Sequence, residues 1–150
     1  MNIVNHFTSL LEAMRQDTNS QLKSWQYNSP SRANVENDYS TVPTAVMYCL
    51  TDWRVQADIV REMAQVSVGF LTTQPELDFD GMHNETLIDD MKDIALDFIA
   101  RISSAGVVEI TSDTIDIRSI YDGDDRNLTG VFVTLDCKEI QGQCLANYEN

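Results

Sequence analysis

Basic residues, cysteines, histidines and long apolar runs are all scarce in this 150-residue chain. Ten Lys and Arg stand against 24 Asp and Glu, a formal net charge of −14. Binding to a nucleic-acid backbone works through Lys and Arg that displace counterions, so so few cations argue against a sequence-reading DNA-binding protein. Solubility is the plain use of such acidity, although an acidic wall also suits a duct through which DNA slides without sticking. Three cysteines, Cys49, Cys137 and Cys144, include no CxxC pair. A disulfide framework or a zinc site wants tighter spacing and more ligands, so the cysteines read as small apolar residues in a reducing compartment. His6 and His83 are far apart, and neither has the neighbours of a general base. No apolar stretch reaches the length of a membrane span, and the start Met1-Asn-Ile-Val-Asn-His has neither the basic nor the apolar part of a signal peptide. GxSxG, P-loop and GxGxxG motifs are absent from the sequence, which removes the usual local signatures of nucleophilic and nucleotide chemistry. No cofactor is expected.

What is present is a strong pattern over 84–106. Leu87, Ile88, Met91, Ile94, Ala95, Phe98, Ile99 and Ile102 fall within an arc of about 140° at helical spacing. Glu85, Asp89, Lys92, Asp93, Asp97 and Arg101 take the other side. Asn84 suits the cap, Glu85 and Asp89 the positive end of the helix dipole, Arg101 the negative end, and Gly106 a left-handed stop. A second amphipathic helix is expected over 2–16, with Ile3, Val4, Phe7, Leu10, Leu11 and Met14 inward.

Several stretches read as strands. Residues 22–27 form a short candidate, 44–52 a near-continuous apolar run of the kind covered on both sides, and 60–73 a long one. A helix over 53–65 competes with the last, but Gly69 and the β-branched residues favour the strand. Alternation follows over 107–120, and most clearly over 130–138, where Val131, Val133, Leu135 and Cys137 oppose Phe132, Thr134, Asp136 and Lys138. Residues 28–41, 52–58, 73–83 and 121–128 read as loops or turns. The sum is a single α+β domain over 1–138 with a tail over 139–150. Its architecture is a two-layer sandwich, a mainly antiparallel four-stranded sheet with two amphipathic helices packed on one face.

Candidate site residues are loop aromatics and acids. Trp25, Tyr27, Tyr39 and Trp53 are placed as interface anchors or local plugs. Asp78 and Asp80, with Glu85, Asp89 and Asp90, crowd the start of the main helix. That spacing fits no calcium loop, and the helix dipole already accounts for acids there. Asp122, Asp124 and Asp125 sit beside Arg126 at a hairpin tip, where a solvated turn, a subunit contact or a calcium ion are the alternatives. No catalytic or metal-ligating set is assigned.

Element order and local phrases resemble bacteriophage tail-terminator-like proteins, the ring-forming subunits of head–tail joints, in particular the forms of phages of Bacteroides-type hosts, crAss-like phages included. The phrases are helix 3–14, Pro43-Thr-Ala-Val-Met-Tyr, Val66-Ser-Val-Gly-Phe, helix 87–102 and Asn127-Leu-Thr-Gly-Val-Phe-Val-Thr-Leu. The long 28–41 loop and the residues after Glu139 depart from the family's compactness. The resemblance implies a non-enzymatic virion protein, assembled in the host cytoplasm, that forms a hexameric or dodecameric ring. Such a ring contacts portal or adaptor and tail proteins, touches no membrane, and lets DNA pass without specific binding. Two other classes remain: a small acidic cytoplasmic protein-binding module, and a metal-dependent enzyme in which Asp78, Asp80 and Glu85 converge with another acid.

Overall fold

In the computed structural model, residues 3–28, 40–48, 53–57, 59–73, 81–123, 128–140 and 143–144 are described. Helix α1 (Ile3–Gln16) is followed by β1 (Ser24–Asn28), β2 (Thr44–Tyr48), β3 (Trp53–Gln56) and β4 (Ile59–Thr73). Then come α2 (Gly81–Ala105), β5 (Val108–Ile110), β6 (Asp116–Gly123), β7 (Leu128–Glu139) and β8 (Gln143–Cys144). The architecture is α+β, with both helices on one face of a mostly antiparallel sheet. Among the described strands only β1 and β2 run parallel.

The sheet holds eight strand segments where four were expected. They lie in five ranks, ordered β1, then β2 with β3, then β4, then β7 with β8, then β5 with β6. Both β2 and β3 pair with β4; from Met47↔Val68 to Trp53↔Ala64 the chain advances six residues on one side and four on the other. Along β7, Ile110↔Cys137 and Asp116↔Thr134 are six residues apart on one side and three on the other. Extra residues in one strand break the ladder and increase its twist. This is why single ranks read as separate strands.

Residues 24–27 of the expected 22–27 segment join the sheet as part of β1, beside β2, while 22 and 23 precede the strand. Neighbouring parallel strands need a crossover of a dozen or more residues. Fifteen residues, 29–43, separate the two strands, enough for that crossover, and most of the expected 28–41 loop lies outside the described residues. Lys23 N–H donates to the Pro43 carbonyl at 2.9 Å, and Ser24 Oγ to the Thr41 carbonyl at 2.7 Å, fixing the end of that crossover on β1.

Other boundaries are corrected. Residues 53–56, expected in a loop, are the first arm of a hairpin with β4. Residues 121–123, expected in a turn, continue β6. Beyond 138 the chain still serves the sheet: Glu139 is buried at the end of β7, and β8 pairs with Ile59 and Val60. Helix α2 begins three residues before Asn84, so Asn84 lies within its first turn. At the other end Gly106 takes φ 67°, the left-handed stop expected of it.

The two faces of the sheet differ. Ala45, Met47, Val66, Val68, Phe70, Val131, Val133 and Leu135 are buried under the helices, with Ile3, Phe7, Leu11 and Met14 of α1 and Ile88, Met91, Ile94, Phe98 and Ile102 of α2. Phe98 is the junction. Its ring lies 5.8 Å from that of Phe7 and 5.6 Å from that of Phe70, both tilted in the manner aromatic quadrupoles favour. The far face carries a smaller cluster of Val46, Leu71 and Leu128, with Tyr48 and Ile120 packed against it. There the Phe132 ring covers Gly69, where an added Cβ would meet it at 3.0 Å, and stacks on Tyr48 at 5.4 Å. Gly130 is constrained harder, since a Cβ there would sit 2.0 Å from the Phe70 carbonyl oxygen.

Replacing Phe98 by Ala removes a ring that touches both α1 and the sheet, and is expected to cost roughly 3–5 kcal/mol. Leu96, on the same helix but 50% exposed, is expected to tolerate Ala within about 0.5 kcal/mol. Urea denaturation of the two variants checks the contrast, and equal losses would contradict it.

Candidate functional site

Acidic side chains are carried on the solvent side of α2. The apolar arc of the helix is spent on the core, so Glu85, Asp89, Asp90 and Asp93 are exposed and Asp97 half-buried. Lys92 Nζ lies 3.4 Å from Asp89, and Arg101 Nε 3.2 Å from Asp97. Leu96 is an exposed apolar residue among them. Over 25 residues the helix extends about 37 Å at 1.5 Å per residue.

Arg101 joins this face to the end of α1. Its Nη2 donates to Asp17 Oδ2 at 2.6 Å, beside the Asp97 contact. Asp17 also accepts the backbone N–H of Asn19 at 2.9 Å, and that bond, followed by Arg101, holds its carboxyl below the ordinary carboxylate range. Asp17 in turn raises the Arg101 pKa further. The groove beside this pair, about 320 Å³, is bordered by Asp17, Asp93, Asp97 and Arg101, three carboxylates to one guanidinium. Arg101 was expected to answer the dipole at the helix end. The helix runs four residues past it, and its charge goes to these two carboxylates instead.

A second groove, about 430 Å³, opens where both broken ranks leave the central strands, bordered by Arg54, Met63, Gln65, Thr111 and Asp136. Gln65 Nε2 donates to Asp136 Oδ1 at 3.4 Å across β4 and β7. Cys137, at the edge of this groove, is buried, and loss of solvent pushes its thiol up to about 12, with Asp136 adding to the effect. It stays protonated at neutral pH and is no nucleophile.

Among the expected site residues, Trp25 is half-buried on the helix side. Its Nε1 donates to Glu12 Oε2 at 2.6 Å, so it plugs the seam between β1 and α1. Tyr27 is half-buried against the same core. Trp53 lies in β3 and Asp122 in β6, but their side chains are outside the described set, as are Tyr39, Asp78, Asp80, Asp124, Asp125 and Arg126 altogether. The described residues bring none of the expected acids together, and among them no three His, Cys, Asp or Glu side chains converge to hold a metal. His6 sits half-buried beside the Phe7 ring, and burial lowers its pKa. Sequence reading missed the Asp17–Arg101 link, because the pair is 84 residues apart and nothing local signals it. No described helix is long and apolar enough to cross a membrane. No protein-family model and no curated protein matches the chain.

Glu12 accepts from Arg15, Trp25 and Gln16. Arg15 first and Trp25 second hold its carboxyl at about 2, against an ordinary 4.5. A folded value below the unfolded one stabilises fully above pH 4.5 and fades as pH falls toward 2. Glu12→Gln is therefore expected to lower Tm modestly at pH 7, with the gap to wild type closing between pH 4.5 and pH 2. An unchanged gap at the acid end would contradict this role.

Proposed function

We propose that this chain is a non-enzymatic virion protein of a tailed bacteriophage, a tail-terminator-like subunit that closes into a sixfold or twelvefold ring at the head–tail joint. The observation that supports it most is the acidic outer row of α2, Asp89, Asp93 and Asp97 one turn apart, in a chain of net charge −14. A wall of like charge to the phosphate backbone keeps DNA from adhering while it passes. No specific DNA contact is required of such a wall.

Ring closure needs a heterologous interface made from two different surfaces of the subunit. The grooved sheet face and the helix layer are two such surfaces, on opposite sides of one rigid core. In this reading the portal or an adaptor docks on one face of the ring and tail proteins on the other. Assembly is then the mechanism, with no chemical step.

A second reading draws on Leu96, exposed amid the acids of α2. An apolar anchor framed by carboxylates suits a basic partner protein, as in a small acidic cytoplasmic binding module.

Light scattering behind a sizing column separates the two. The ring predicts closed species in whole multiples of 102 kDa, six times 17.0 kDa, over a concentration series. A 17.0 kDa monomer at every concentration that also finds no partner in the particle contradicts the ring.

A further inference from the structure

The outer edge of β6 has no strand partner among the described residues. On its inner side β6 pairs with β7 in unbroken register from Asp116↔Thr134 to Ile120↔Gly130. No described strand pairs on its outer side. An open edge is a template for another chain, and folded proteins normally blunt it.

This edge carries a particular charge pattern. Asp116 and Arg118 are both exposed, and both project on the far face of the sheet, opposite the uncharged Thr134 and Phe132. Neither forms an ion pair among the described residues. Two opposite charges two residues apart on one edge are self-complementary. When such a strand meets its own copy antiparallel with Ile117 opposite Ile117, Asp116 of each copy lies opposite Arg118 of the other. Directly opposed side chains then have Cβ atoms about 5 Å apart, within ion-pair reach.

The same pattern rejects the neighbouring registers. A two-fold at position 116 sets Asp against Asp, and one at 118 sets Arg against Arg, each a like-charge penalty. Only the Ile117 centre pairs both charges. The sheet then continues from one copy to the next, and both helix layers stay on one side.

We propose that a second copy of this chain pairs antiparallel along β6, about a two-fold through Ile117, closing two Asp116–Arg118 pairs. The contact is isologous and does not depend on the ring reading. A chain that forms no ring dimerises through it, and two rings join through it. The net charge of −14 on each copy opposes association at low salt. At 0.15 M ionic strength, where the screening length is about 8 Å, that long-range repulsion is muted and contacting pairs persist.

The test is solution mass at this ionic strength, over a concentration series, for wild type and three variants. Asp116→Arg and Arg118→Asp each place like charges face to face, and each is expected to halve the assembly mass by weakening the contact about tenfold or more. The double variant Asp116→Arg/Arg118→Asp restores complementarity with the signs exchanged, and is expected to recover the wild-type mass. Thermal melting of all four proteins confirms that these exposed substitutions leave the fold intact. The proposal is overturned if the wild type shows no two-fold step in mass, if either single reversal leaves that mass unchanged, or if the double variant fails to restore it.

Discussion

Phe98 is where the molecule is tied together. One side chain on α2 contacts Phe7 of α1 and Phe70 of β4, so the two helices and the sheet meet at this ring. Close-packed interiors transmit any change at such a point, which orders the rest of the fold around it. The apolar arc of α2 must face Phe98's neighbours, and that forces the acids of the helix outward. The charged face is thus a consequence of the core. Arg101 then sits close enough to the end of α1 to pair with Asp17 at 2.6 Å.

The sheet under this junction is continuous along β4 and β7, whose eleven paired positions run from Met63↔Lys138 to Thr73↔Leu128. Ranks on either side of that spine are interrupted, and the interruptions open the groove around Gln65 and Asp136. At the start of the spine, Glu62 Oε2 accepts the Ile3 N–H at 3.3 Å, while Glu139 Oε1 accepts the Glu62 N–H at 2.8 Å. A carboxylate at the first N–H of α1 meets the positive end of its dipole. Residues 62 and 139 thereby tie the helix start to both central strands.

Much of this was legible in the sequence because it rests on local periods. The two amphipathic helices, the strand chosen over a helix at 60–73, the alternation of 130–138 and the stop at Gly106 are written in nearest-neighbour patterns. What failed to show was non-local. Trp53-Arg-Val-Gln is too short to alternate convincingly, and pairing with β4 alone makes it a strand. The place of β1 depended on a parallel partner beyond fifteen intervening residues. Count and rank of strands diverged because extra residues break a ladder without changing its alternation. Trp25 illustrates the same limit at the site: an aromatic beside a turn reads equally as an anchor or a plug, and its bond to Glu12 of α1 is invisible to local patterns.

In the proposed reading, function is carried by shape and charge. The helix–sheet body has two unlike faces, an acidic row along one of them, and at β6 an edge with no strand partner among the described residues. Electron micrographs of the purified protein test the central claim most directly. The account predicts closed rings of six or twelve subunits around a central opening wide enough for a DNA duplex, with α2 facing the opening. Solitary subunits or open filaments, in place of rings, would contradict it.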